Sequence, residues 1–182
     1  MKEVKENIKI VIPGKDKGDF APYAIVVSRW TCAEPGMSPR SIEKVLSYFN
    51  EVRSVLIIDA SNNALLAHAA IKWISTENPL LEIGSVIVDP NQRGNGYGTM
   101  ATSATWSLAI DKYPNHQKIA FCNDVSLRLF KLLGATEAEK DQLPTEVWEG
   151  CLKCSRMAKA KEAGKLCCDT IVVLPNTGPN KI

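Results

Sequence analysis

Apolar residues recur along this chain with two periods, and turn residues separate the segments that carry them. The run Lys9-Ile10-Val11-Ile12, closed by Pro13-Gly14, predicts a first strand. Phe20 to Thr31 predicts a helix, and Pro35-Gly36 then breaks the chain. Ser38-Pro39 reads as the start of a second helix, with Ser at the cap and Pro in the first turn. Ile42, Val45, Leu46 and Phe49 lie at helical spacing and should form its buried face. Three strands follow, over Ser54–Asp59, Leu65–Trp73 and Leu80–Val88. Polar links such as Ser61-Asn62-Asn63 are short enough that the three should form an antiparallel meander. Asp89-Pro90-Asn91 ends the last strand, because proline lacks the donor that a strand interior needs.

The period then changes. Gly96 to Tyr113 reads as a helix with Met100, Ala104 and Leu108 on one stripe, and Lys118–Cys122 as a strand. Val125, Leu129, Leu132 and Leu133 follow the i, i+4, i+7, i+8 rule of a helix packed on a sheet, which Gly134 stops. Asp124 is the expected cap of that helix. A helix over Glu146–Ala163 and a strand over Thr170–Leu174 complete the chain. Strand, Gly-rich turn, helix, strand, helix is an α/β order. No boundary divides residues 1–182, so one domain is expected.

Composition narrows the function. With 182 residues, 45% hydrophobic and 23% charged, the chain has the make-up of one globular domain and not of a disordered segment. The net charge of +2 is spread without a basic block, so neither nucleic acid nor a membrane surface is an expected partner. The most apolar stretch, Ala64–Ile71, contains His68 and is far short of a membrane span of about 20 residues. Six cysteines are too few for a disulfide scaffold, so reduced thiols and a cytoplasmic location are expected. Four of them, Cys151, Cys154, Cys167 and Cys168, cluster in a segment of about 143–168. Two thiol pairs suit a structural zinc, but the second pair is adjacent rather than spaced by two. Packing is the favoured role, with zinc as the alternative.

The chemistry concentrates at Arg93-Gly94-Asn95-Gly96-Tyr97-Gly98, between a strand and a helix. A helix start leaves about four amide donors unpaired and carries the positive end of the peptide dipole. Glycines there let a backbone approach an anion closely, so a phosphate or pyrophosphate is the expected guest. A P-loop is excluded because no Gly-Lys-Ser/Thr follows. A dinucleotide fold is excluded by the alternate spacing of Gly94, Gly96 and Gly98 and by the antiparallel strands before them.

The stretch Val86-Ile87-Val88-Asp89-Pro90-Asn91-Gln92-Arg93-Gly94-Asn95-Gly96-Tyr97-Gly98 resembles the acetyl-CoA signature of the GNAT superfamily of N-acetyltransferases. Asn123-Asp124-Val125-Ser126 through Phe130-Lys131-Leu132-Leu133-Gly134-Ala135 resembles that family's second element. The likeness covers Val55 to Ala135. It implies a mixed, mostly antiparallel central sheet flanked by helices, with an extra helix and strand at the C-terminus. It also implies acetyl-CoA as co-substrate, lying along Leu81–Val88 with hydrogen bonds to the backbone of Val86 and Val88 and with Ile87 beside it. The amides from Arg93 and Gly94 through Asn95, Gly96, Tyr97 and Gly98 to Thr99 would hold the pyrophosphate. Asn123, Ser126 and Phe130 would complete the cofactor site.

The implied reaction is direct attack of a substrate amine on the thioester. Many family members carry a tyrosine at the position of Phe130, where it protonates the leaving thiolate. A thiol pKa near about 8.5 lets the thiolate leave at neutral pH, and Ser126 or water can supply its proton. The amine is the larger problem, because its pKa near about 10.4 leaves few free-base molecules at pH 7. Glu82, in the strand leading to the glycine turn, is the first candidate for the base; a solvent-facing carboxylate is the alternative. His68 reads as a core imidazole, His116 as a surface residue and Asp89 as part of the Asp-Pro turn. Two other readings stay open, a non-catalytic acyl-CoA sensor and a zinc-stabilised interaction module. The acceptor and the oligomeric state, a homodimer included, are not legible.

Overall fold

The computed structural model describes residues 7–35, 37–75, 78–139, 143–144, 147 and 170–180. In chain order its elements are β1 (Ile8–Val11), α1 (Ala21–Ala33), α2 (Ile42–Asn50), β2 (Ser54–Asp59), β3 (Ala64–Ser75) and β4 (Leu80–Val88). A 3-10 turn (Pro90–Gln92) leads to α3 (Tyr97–Lys112), β5 (Gln117–Cys122), α4 (Asp124–Leu132), β6 (Thr136–Ala138) and β7 (Thr170–Leu174). The strands form one sheet in the order β1-β2-β3-β4-β5-β7-β6. Every neighbouring pair is antiparallel except β4 and β5.

Residue periodicity explains the layers. All six residues of β2 are buried, because helices cover both faces of the sheet there. Val55 and Ile57 point to the α3 side, where they join Leu81, Ile83, Tyr97, Ala101 and Trp106. Leu56 and Ile58 point the other way, to Val27 of α1 and Val45 and Phe49 of α2. Among the described residues no helix is long and apolar enough to cross a membrane.

The antiparallel meander is as expected, and α3 starts and ends within a residue of its predicted bounds. Other elements differ for local reasons. The cap of α2 is Ser41, whose Oγ accepts from the Lys44 amide at 3.2 Å, not Ser38. Pro39 disfavours helix at the residue before it. Arg40 is also tied back to α1, its amide to Thr31 Oγ1 at 3.1 Å and its carbonyl to Ser28 Oγ at 2.7 Å. Ile42 is left exposed, and Tyr48 takes its place on the buried face.

The buried stripe of α3 runs through Tyr97, Ala101, Thr105 and Leu108, while Met100 and Ala104 are only partly covered. In α4, Val125 is 80% exposed and Leu132 56% exposed, and the core contact comes from Phe130 with Leu133. Asn123 caps that helix, and Asp124 is the first residue inside it. β6 was not expected. β7 is, and a turn after it is pinned by Trp106 Nε1 on the Pro175 carbonyl (3.1 Å) and Lys118 Nζ on Asn176 Oδ1 (2.8 Å). The helix expected over Glu146–Ala163 and the four clustered cysteines lie outside the described residues, apart from Val147, which packs on Leu80, Ile119 and Ile171. Among the described residues no group of His, Cys, Asp or Glu is arranged to hold a metal ion.

Candidate active site

β4 and β5 pair in parallel only from Leu80 to Glu82, whose partners are Gln117 to Ile119. Beyond that point β5 stays paired with β7, and β4 runs on to Val88 paired with β3. The two central strands therefore part after Glu82. The edge of β4 that faces β5 is left without a strand partner from Ile83 onward, and its amides and carbonyls are open to an extended ligand.

A bulge shapes the same stretch. His68 and Ala70 of β3 sit opposite Ile87 and Gly84 of β4, so β4 carries one extra residue between them. Ser85 takes a left-handed φ of 51° there, a strained conformation for a residue with a side chain. His68 holds it. With a carbonyl as partner, the imidazole Nδ1 must be the donor, to Ser85 O at 3.1 Å, and Nε2 accepts from Ser54 Oγ at 2.6 Å. Burial pushes the His68 pKa down to about 4, so the ring is neutral. The expected core imidazole is thus also the buckle of the bulge.

Glu82 is not solvent-facing. It is buried at the point where the strands part, and Lys72 Nζ of β3 donates to its Oε2 at 2.8 Å. Its carboxylate folds back over Gly84, where a methyl group would lie 2.5 Å from Oε1. On the same side of the sheet, Tyr48 feels the charges of Arg40, Lys72, Glu82 and Arg53, and burial raises its pKa.

At the far end of β4, Asp89 Oδ1 accepts from the Asn91 amide at 2.8 Å and forms the expected Asp-Pro turn. Gly94 and Gly96 then adopt left-handed φ of 81° and 84°. A Cβ on either would meet nothing within 4 Å, so the loop surface is open where those side chains would stand. Gly96 caps α3 without a side-chain hydrogen bond, so the first amides of a helix of 16 residues face outward. Gly98 has a different task. Its missing Cβ would lie 3.2 Å from Val88 Cγ2, so glycine lets α3 settle against β4. Asn95, Gly96 and Thr99 line a cavity of about 960 Å³ that continues along α3 to Leu132 and Asn180. Arg93 is exposed and pairs with Glu34 at 2.6 Å, and the ring of Tyr97 is in the core.

Across the split, where β5 ends, Asn123 and Ser126 form a reciprocal capping box and do not line that cavity. Asn123 Oδ1 accepts from the Ser126 amide and Ser126 Oγ accepts from the Asn123 amide, both at 3.0 Å. The ring of Phe130 is buried beside Leu133 and has no proton to give. Cys122, whose thiol is pushed up to about 11 chiefly by burial, stays protonated.

The model of the acetyltransferase (GNAT) family matches residues 23–135. The chain belongs to the GNAT family. No curated protein matches it in sequence. Solved structures share this GNAT fold at low identity. Rv2747 from Mycobacterium tuberculosis, solved with CoA, is 14% identical with a TM-score of 0.65 over 91% of this chain and 98% of its own. N-acetylglutamate synthase from Neisseria gonorrhoeae, solved with coenzyme A and N-acetyl-glutamate, is 20% identical with a TM-score of 0.58. That match covers 91% of this chain but only 34% of the synthase, so the chain spans about a third of that protein. Spermidine N-acetyltransferase from Vibrio cholerae, solved with CoA and spermine, is 14% identical with a TM-score of 0.53 over 74% of this chain and 84% of its own.

Within this GNAT fold, Glu82 and the glycine turn lie at the two ends of the open stretch of β4, and Asn123 and Ser126 follow β5 on the other side of the split. Sequence reasoning missed Arg40, Tyr48, Gly84 and Ser85. A lone glycine inside an apolar strand marks a bulge or a close approach, and Gly84 borders the bulge and makes the close approach to Glu82. His116 is not a plain surface residue, because its ring packs 5.3 Å from Trp73 and 5.4 Å from Tyr113.

Proposed function

We propose that this GNAT domain moves the acetyl group of acetyl-CoA to the amine of a small molecule or protein. One observation carries the reading. The open edge of β4 leads, through the Asp-Pro turn and one 3-10 turn, to two left-handed glycines at a helix start. An extended amide-bearing chain ending in a pyrophosphate needs those two features in that order. In this reading the pantetheine arm lies along Val86, Ile87 and Val88. The amides from Arg93 to Thr99 take the phosphates, and Asn123, Ser126 and Phe130 form the facing wall.

The amine nitrogen attacks the thioester carbonyl, a C–N bond forms, the C–S bond breaks and coenzyme A leaves as thiolate. Glu82 receives the proton shed by the amine through one water and returns as carboxylate when bulk solvent takes it. Holding a lysine-like amine as free base at pH 7 is worth roughly 4–5 kcal/mol, at about 1.36 kcal/mol per pH unit, so the base matters more than the acid. The thiolate takes a proton from water or Ser126. The Ser126 hydroxyl lies 3.0 Å from Asn123 Oδ1 and 3.2 Å from Asn123 O, and water needs no such release.

A second reading, a sensor that binds acyl-CoA without turnover, draws on Phe130, which offers no proton. Incubation with acetyl-CoA and a panel of amines, with colorimetric detection of free thiol, separates the two. Amine-dependent thiol release supports the transferase. Coenzyme A binding by calorimetry with release at background supports the sensor, and no binding at all refutes both.

A further inference from the structure

Resting on the transferase reading, we infer that the acceptor carries a carboxylate beside its amine, and that Arg40 is the residue that reads it. The backbone of Arg40 is clamped to α1 on both sides, as the Thr31 and Ser28 bonds show. Its side chain reaches the β4 bulge, where Nε lies 3.3 Å from Ser85 Oγ. The guanidinium therefore stands at the bulge, on the side of the sheet that carries Glu82, Lys72 and Tyr48.

Charge matching separates it from the paired cations around it, and its position at the bulge separates it from Lys44, which lies over the Tyr48 ring. Lys72 is paired with Glu82, Arg53 with Glu51 at 2.6 Å, and Arg93 with Glu34. Among the described residues Arg40 has no carboxylate partner, and its only side-chain hydrogen bond uses Nε. The two terminal nitrogens, with four N–H groups in a rigid fork, are left for a ligand. That fork is complementary to a carboxylate in two parallel hydrogen bonds. An acceptor whose carboxylate docks on Arg40 presents its amine along β4 toward Glu82. The class is an amino acid or a chain-terminal equivalent, not a bare polyamine.

The test measures kcat/KM for amino acids and for the same compounds lacking the carboxylate, in the full chain and in Arg40→Gln and Arg40→Lys. The inference expects the wild type to favour the acid of each pair by about 100-fold or more. Arg40→Gln should lose about 100-fold on the acids, mostly in KM, and leave the carboxylate-free amines within about two-fold, with Arg40→Lys between. Equal losses on both series would overturn it and assign Arg40 to the thioester or to holding Ser85. Better turnover of the carboxylate-free amines in the wild type would overturn it too, while leaving the transferase reading intact. Should no amine release thiol, the transferase reading fails first. Calorimetry of the amino acids against the coenzyme A complex then decides the inference, which falls if wild type and Arg40→Gln bind alike or not at all.

Discussion

Adding one methyl group at Gly84 tests Glu82 without altering its chemistry. A Cβ there would lie 2.5 Å from Glu82 Oε1 and 3.3 Å from its carboxyl carbon, so the carboxylate must retreat by about 0.9 Å to reach ordinary contact at 3.4 Å. Nothing else opposes the change. Gly84 does not have a left-handed φ, and Gly-to-Ala at a compatible position stabilises by about 0.4–1 kcal/mol. Loosening the Lys72–Glu82 pair costs little, under about 1 kcal/mol, because Lys72 is partly in solvent. Gly84→Ala should therefore keep its melting temperature within a few degrees. Misplacing a reacting group by about 1 Å costs on the order of 10²-fold, so kcat/KM should fall by about 10- to 100-fold. Glu82→Gln should fall further, by about 10²–10⁴. Thiol-release kinetics and thermal unfolding on the same preparations decide it. A folded Gly84→Ala protein with wild-type kcat/KM refutes the reasoning about where the carboxylate must stand, and a fully active Glu82→Gln removes it from the chemistry.

Gly96→Ala should cost only the strain of its left-handed φ, about 1–2 kcal/mol, since nothing lies within 4 Å of the added carbon. It should also abolish the thermal shift given by coenzyme A, and an undiminished shift would contradict the anion-holding role. His68 is neutral in the fold with a pKa of about 4, against an ordinary 6.5, so between those values the unfolded chain binds more protons. Stability is complete above about pH 6.5 and falls as pH drops toward 4, by up to about 3 kcal/mol. Urea midpoints should follow that slope in the wild type and lose it in His68→Gln; a flat wild-type profile rules it out. Lys118 is buried, with Nζ on the Tyr113 carbonyl at 2.7 Å and on Asn176, and burial lowers its pKa. Lys118→Met strands both acceptors and should cost about 1–3 kcal/mol, with faster amide exchange at Gly178 and Asn180, which unchanged exchange would disprove.

How far the sequence could be read depends on whether a feature is encoded locally. The β4-to-α3 junction is legible because β-branched residues, Asp-Pro and three glycines each restrict the backbone at their own positions. The face of α4 was misread because Val125 and Leu132 satisfy helical spacing as well as Phe130 does, and only the tilt of the helix on the sheet decides between them. β6 was missed because Thr136-Glu137-Ala138 has little strand preference of its own, and its pairing with β7 supplies the hydrogen bonds. The site divides in the same way. Amide donors belong to the backbone, so a glycine pattern announces them. Charges acquire meaning only from what stands opposite. In sequence Glu82 is a candidate base with a solvent-facing carboxylate as the alternative, and only the hairpin that brings Lys72 to it decides its surroundings; Arg40 carries no signal until α1 clamps its backbone. The half of the site that would hold the common co-substrate is therefore written in a short motif, whereas the half that would choose the acceptor is assembled from α1, the segment before α2, β3 and β4. Replacing Arg40 alters only that second half, and for this reason its consequences should appear in the choice of amine and not in the binding of coenzyme A.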